Sequence, residues 1–200
     1  MTRWNTPAPY GAPAAVEAMA SVAAPLLAGF SLALIGLVLP SQKLLRWPEL
    51  ALFLLVLSAL LLLAAVQHGF WARQYIATPS DLSQWWPDLD ESEERLLMVR
   101  REQWSYQTIY TVYAGRARAA YRLGILALLA AVAVVVVPDR PLGEVPAGRL
   151  AVVGLAVFGF LLEALWIIAA KPPRWLDRGP AASLLRAIAP RHVVQEPPPG

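Results

Sequence analysis

Four stretches of the chain are almost purely apolar, and shorter polar segments separate them. Each stretch is 19 to 22 residues long, and together they hold two full charges, Arg122 and Glu163. Their ranges are 18–39, 50–70, 119–137 and 150–170. A helix of that length crosses a hydrocarbon core of roughly 30 Å. The pattern therefore predicts four transmembrane helices.

The composition agrees with a membrane protein and excludes other classes. Of the 200 residues, 58% are hydrophobic and 16% are charged, whereas soluble domains have roughly 45–50% and about 25%. A soluble enzyme, a secreted disulfide scaffold and a disordered regulator are excluded. Because the chain has no cysteine, it has no disulfide and no thiolate metal site. We predict an all-α fold, a four-helix transmembrane bundle with a cytoplasmic helical insertion between spans 2 and 3.

The distribution of Lys and Arg predicts the orientation. If both termini and the central polar segment share one side, that side carries thirteen of the 17 basic residues and the other side carries four. Basic loops stay on the cytoplasmic side, so we expect a multi-pass protein of the cell (cytoplasmic) membrane with both termini inside. The net charge of +3 is explained in this way and does not call for a nucleic-acid partner.

This orientation predicts five parts in the chain. Two transmembrane hairpins alternate with three cytoplasmic segments. In chain order they are a disordered lead (1–17), the hairpin of spans 1 and 2 (18–72), an amphipathic helical segment (73–118), the hairpin of spans 3 and 4 (119–170) and a tail (171–200).

Small residues predict which face of the first span packs against other helices. They recur every three or four residues, as Ser21, Pro25, Gly29, Ala33 and Gly36. Small residues at this spacing let helices approach closely in a membrane. We expect this face to pack inside the bundle, and a dimerisation face is the alternative.

The central segment divides its charge sharply. Residues 81–94 contain six acids and no base, and residues 95–122 contain six arginines and one acid. A helix that begins near Glu91 explains this order, because acids suit the first turn and bases suit later positions. An acidic docking surface for a basic partner is the alternative. Since no proline interrupts the segment before Pro138, the helix is expected to continue into the third span.

Several residues of this segment are candidates for contact with a partner or an interface. The paired Trp85 and Trp86 would anchor the segment to the membrane surface, close a small cytoplasmic core, or contact a partner. A tyrosine stripe is expected to pack against the other cytoplasmic elements or to lie at the headgroup level. The full candidate set is Trp85, Trp86, Asp88, Asp90, Tyr106, Tyr110 and Tyr113.

Ionisable residues inside a span are functional candidates. Glu163 lies in the fourth span on the same helix face as Ala156 and Gly159. We expect it to form an intramembrane polar cluster with residues at similar depth. These are His68, Gln67 and Arg122. The cluster would either respond to protons or cations or fix the helix register as a structural clamp.

The sequence offers little for catalysis. It has two histidines and no cysteine, which leaves no metal-ligand set of those residues. It also lacks a phosphate-binding Gly-rich loop and a Gly-x-Ser-x-Gly elbow. We expect a protein that is not an enzyme and has no cofactor and no metal.

One stretch carries a resemblance. His68 to Tyr75 (HGFWARQY), the following PSDL at 79–82 and the Trp85–Trp86 pair resemble small four-span integral membrane proteins of actinobacteria. The use of 15 arginines against two lysines suits such a high-GC source. The resemblance implies no activity and no site residues.

Two functions are left open. The first is an accessory, scaffold or effector protein in the lipid bilayer, whose cytoplasmic helical segment binds or senses a cytoplasmic or membrane protein. The second is a small channel or proton-coupled transporter that forms as a homo-oligomer and uses Glu163.

Overall fold

A computed structural model describes residues 11–76, 79–85, 93–138 and 145–170, and all regular structure in these ranges is helical. The helices are α1 (Ala12–Ala18), a π-helical turn (Met19–Ala23), α2 (Ala24–Val38), a 3₁₀ turn (Gln42–Leu44), α3 (Pro48–Arg73), α4 (Pro79–Trp85), α5 (Glu93–Val136) and α6 (Ala147–Ala170). The all-α prediction is confirmed for these residues. The predicted tail, 171–200, lies outside them.

Four helical segments are long and apolar enough to cross a membrane. They are the continuous helix Ala12–Val38, α3, α5 and α6. Each contains one of the four apolar windows of the sequence. Their length and composition are those of a multi-pass membrane protein.

The first helix begins earlier than the sequence predicted. Ala12–Ala18 is helical, so the expected disordered lead at 1–17 is wrong for residues 12–17. Pro13 does not prevent this, because the first helical turn needs no backbone N–H donor. Val16 is buried in a cluster with Ala72 and Tyr110, and this contact packs α1 against the bundle.

The π-helical turn follows from Pro25. Proline has no N–H to donate to the carbonyl four residues earlier, which belongs to Ser21, and its ring crowds that carbonyl. The helix widens just before this position, and the N–H of Ala24 bonds to the carbonyl of Met19, five residues back. The helix thus continues past the proline to Val38.

α3 is the centre of the bundle and runs antiparallel to α2 and α5. Leu55 packs with Val38 and Leu128 at one end, and Ala72 packs with Val16 and Tyr110 at the other. The buried positions along α3 are mostly small. They are Ala51, Leu55, Ser58, Ala59, Leu62, Ala65, Gly69 and Ala72.

Glycine permits close contact between α3 and its neighbouring helices at two places. A Cβ at Gly69 would lie 2.2 Å from the Cβ of Ala20, and one at Gly124 would lie 2.8 Å from the Cγ of Leu62. Both distances are too short for real atoms. The helices are therefore as close as glycine allows.

The predicted packing face of the first span is wrong. The five small residues of that face are all exposed, namely Ser21, Pro25, Gly29, Ala33 and Gly36. Added Cβ atoms at Gly29 and Gly36 would meet nothing within 4 Å. The buried face is a neighbouring row of equally small residues. Its members include Ala20, Ala24, Ala28 and Ser31.

α5 confirms the prediction of an uninterrupted helix. It spans 44 residues, a length of about 66 Å, and it ends two residues before Pro138. α6 packs mainly against α5. Its half-buried face includes Ala156, Gly159 and Glu163, as expected from their spacing.

Candidate functional site

One end of the bundle gathers most of the candidate residues. It consists of residues 12–23, the last turns of α3 with the three residues after it (66–76), α4 and residues 93–118 of α5. We call it the Tyr110 end. It contains Trp85, Tyr106, Tyr110 and Tyr113, whereas Trp86, Asp88 and Asp90 lie outside the described residues.

Aromatic rings join α3 to α5 at the Tyr110 end. The ring of Tyr113 lies 6.0 Å from that of Tyr75 and nearly parallel to it at 3°. It also lies 6.4 Å from Trp71 and 6.2 Å from His68. His68 and Trp71 are three positions apart on one face of α3, and Tyr75 follows four positions later in the turn after the helix. This spacing was the signal that could have identified Tyr75, which sequence reasoning missed.

Tyr110 is the most deeply placed of the candidate tyrosines. It is 3% exposed and packs against Val16, Ala72 and Ala114. Its hydroxyl has no hydrogen-bond partner among the described residues. Burial raises the pKa of this phenol, which keeps the hydroxyl protonated and available as a donor at neutral pH.

A cavity of about 470 Å³ lies between α1, α3 and α5, beside Tyr110. We call it the main cavity. Most of its wall is apolar, and a few polar side chains interrupt it. The lining residues are Pro13, Ala14, Val16, Glu17, Ala20, Ser21, Val66, Gly69, Phe70, Arg73, Ile76, Asp81 and Tyr110.

The charged groups of the main cavity lie at one end of it. Arg73 Nη1 is 2.7 Å from Glu17 Oε1, and Asp81 also belongs to the wall. The Arg73 and Glu17 side chains are 68% and 48% exposed. Water therefore reaches this ion pair and weakens it. The wall carries two carboxylates and one guanidinium.

A smaller cavity of about 140 Å³ lies between α3, α4 and α5. Tyr75, Trp85 and Tyr106 line it together with Glu102. The Tyr106 hydroxyl donates to Glu102 Oε1 at 2.9 Å, and this hydrogen bond to a carboxylate raises the pKa of Tyr106. Trp85 and Tyr106, two predicted contact residues, are thus brought together.

The structure does not bring the four predicted intramembrane polar residues together. His68 lies beside Tyr113, whereas Arg122 is nine residues further along α5, about 14 Å. Gln67 is exposed, and Glu163 lies half-buried on α6. Among the described residues, no hydrogen bond or ion pair joins these four to one another. The antiparallel register of α3 and α5 sets this separation.

The middle of the bundle holds a polar contact that sequence reasoning did not single out. Ser58 Oγ donates to the carbonyl of Gly124 at 2.9 Å, and Ser31 Oγ donates to the carbonyl of Leu27 at 2.9 Å. The two hydroxyl oxygens are 3.2 Å apart. Both serines are fully buried, so this contact links α2, α3 and α5 within the apolar core.

The comparisons give no relative from which a role could be transferred. No protein-family model, no curated protein and no solved structure matches the chain.

Proposed function

We propose that the chain is an accessory or scaffold protein of the cytoplasmic membrane whose cytoplasmic helical segment, 73–118, binds a partner protein. Four spans and the uneven distribution of basic residues, thirteen against four, support this orientation. In it, both termini and the Tyr110 end are cytoplasmic.

The length of α5 supports a helical arm outside the bilayer. About 20 residues are enough to cross the hydrocarbon core, and α5 has 44 residues. The remaining N-terminal part extends about 36 Å from the span. α3 and α4 cover one face of this arm through Tyr75, Leu82 and their neighbours.

The observation that carries the proposal is the apolar surface on the opposite face of the arm. Five large apolar side chains are exposed there, although this part of the helix lies outside the predicted span. They are Leu97, Met98, Trp104, Ile109 and Val112. Their spacing places them on one side of the helix, away from Val99 and Tyr110. A second helix or a groove of a partner fits such a face.

Photocrosslinking in native membranes tests partner binding. A photoreactive phenylalanine analogue replaces Trp104, and a matched control replaces Phe158, which is also exposed but lies in α6. We expect one adduct of defined mass at position 104 that disappears when Met98 and Val112 are changed to Ser. Lipid adducts alone at position 104 would contradict the proposal. A dimer adduct at position 158 alone would favour the homo-oligomer instead.

Single cysteines test the orientation, since the chain has none of its own. Asp90→Cys is expected to resist an impermeant thiol reagent in intact cells, whereas Lys43→Cys is expected to react. Labelling of position 90 from outside would reverse the proposed topology.

A further inference from the structure

The main cavity has the size and the wall of a ligand site. Pockets for small molecules have volumes of roughly 300–1,000 Å³ and mostly apolar walls with a few polar groups. The main cavity has about 470 Å³ and meets both conditions. In addition, Tyr110 lines it, is 3% exposed and has a hydroxyl without a partner among the described residues. Buried hydroxyls are nearly always hydrogen-bonded, so a bound acceptor would explain this one.

The position of the main cavity suits an amphipathic ligand. Its wall follows α3 from Val66, near the end of the second apolar window, to the helix end at Arg73. That distance is about 10 Å, which reaches from the edge of the hydrocarbon core through the headgroup region. The inner part is apolar and the outer part is charged. Phe70 and Ser21 belong to the wall and are exposed, so the cavity is open to surrounding lipid.

The π-helical turn shapes this wall. It contributes Ala20 and Ser21, and the contact of Ala20 with Gly69 fixes the first helix against α3 at that level. π-helical turns are rare and occur often at functional sites.

The charges of the main cavity select among lipid headgroups. Arg73 can bind a phosphate, and Glu17 can bind an ammonium that has N–H donors. An anionic headgroup would compete with Glu17 for Arg73 without offering that carboxylate a cation. A quaternary ammonium has no N–H to donate. Phosphoethanolamine supplies both a phosphate and a primary ammonium.

We propose that the main cavity binds one molecule of phosphatidylethanolamine. Its phosphate lies against Arg73, its ammonium replaces Arg73 as the partner of Glu17, and a phosphate or ester oxygen accepts a hydrogen bond from the Tyr110 hydroxyl. The acyl chains leave past Phe70 into the bilayer. This site rests on the membrane location of the chain and not on the partner-binding role of the arm.

Native mass spectrometry of the purified, delipidated full chain tests the site. The probes are phosphatidylethanolamine, phosphatidylglycerol, phosphatidylcholine and the soluble headgroup glycerophosphoethanolamine. We expect one phosphatidylethanolamine to bind at least tenfold more tightly than each of the other three. Equal retention of phosphatidylethanolamine and phosphatidylglycerol would overturn the proposal. Equal binding of the soluble headgroup would overturn the assignment to a lipid.

Variants connect that binding to the main cavity. Tyr110→Phe keeps the ring and removes the hydroxyl, and we expect the Kd for phosphatidylethanolamine to rise about tenfold. Tyr113→Phe is the matched control on the same helix and should leave the Kd unchanged. Glu17→Gln should reduce the preference for phosphatidylethanolamine over phosphatidylglycerol. Equal effects of the two tyrosine variants would overturn the proposal, and circular dichroism checks that each variant is folded.

Discussion

The middle of the bundle and its Tyr110 end both bury hydroxyl groups, and these groups differ in their hydrogen bonding. Ser31 and Ser58 are fully buried, each donates to a backbone carbonyl, and their hydroxyl oxygens are 3.2 Å apart. Tyr110 is nearly as buried, but its hydroxyl has no partner among the described residues. In the middle, hydrogen bonding holds three helices together. At the Tyr110 end, the Tyr110 hydroxyl can donate a hydrogen bond to a bound molecule.

The two regions also differ in the size of the side chains that pack there. Around Ser58 the buried positions of α3 are Leu55, Ala59 and Leu62, and Ser58 reaches the carbonyl of Gly124 on α5. Around Tyr110 the packing combines the small Ala72 and Ala114 with the large rings of Tyr75 and Tyr113. A cavity lies beside Tyr110. Close helix packing occurs in both regions, and we infer that the Tyr110 end supplies recognition in addition.

Gly69→Ala should have the largest effect on stability. The new Cβ would be 2.2 Å from the Cβ of Ala20, and neither atom can rotate away, so the first helix must move. We expect the free energy of unfolding to fall by about 1–3 kcal/mol, measured by denaturant titration in micelles.

The control for this substitution is Gly29→Ala, where the added Cβ meets nothing within 4 Å. It should raise stability by roughly 0.5–1 kcal/mol, because alanine favours helix more than glycine does. Equal effects of the two substitutions would contradict the close contact of Gly69 with Ala20.

Ser58→Ala should have the next largest effect. It removes the hydrogen bond to the Gly124 carbonyl and leaves that carbonyl without the donor. Such bonds between membrane helices contribute about 0.6 kcal/mol on average and about 1.7 at most, and we expect a loss in this range by the same titration. Ser21→Ala is the control, since Ser21 is exposed and bonds within its own helix. An equal loss in both variants would remove the distinction drawn for the middle of the bundle.

Tyr110→Phe should change stability in the opposite direction to Ser58→Ala. In lipid-free detergent the hydroxyl has no partner to lose, so its removal should stabilise the fold by up to about 1 kcal/mol. The same titration detects this sign. A loss of stability as large as that of Ser58→Ala would show that the Tyr110 hydroxyl is bonded within the protein.

The parts of the fold that depend on local rules could be predicted from the sequence. Apolar length gave the four spans, and the absence of proline before Pro138 gave the continuous α5. Helix 12–18 was not predicted, although its Pro13 fits the first turn of a helix. In each of these cases a few neighbouring residues decide the outcome.

The packing could not be predicted in the same way. Two rows of small residues run along the first span, and lipid does not favour burying one row over the other. Contacts with α3 decide between them, and Ala20, Ala24 and Ala28 are the row that is buried. Depth alone suggested that His68 and Arg122 would meet, but the register of α3 on α5 places His68 beside Tyr113. The main cavity also arises from the packing of separate helices, so no sequence motif predicts it.

The ion pair of Glu17 and Arg73 should have the smallest effect on stability. Its partners are 2.7 Å apart, but they are 48% and 68% exposed, and water screens such pairs. A double-mutant cycle with Glu17→Gln and Arg73→Gln should give a coupling free energy of about 0–1 kcal/mol in lipid-free detergent, and it should decrease as salt is added. A coupling well above that range would mean that the pair is a fixed part of the fold. A weak pair is what recognition at the Tyr110 end requires, because an incoming headgroup must separate Glu17 from Arg73 in order to bind both.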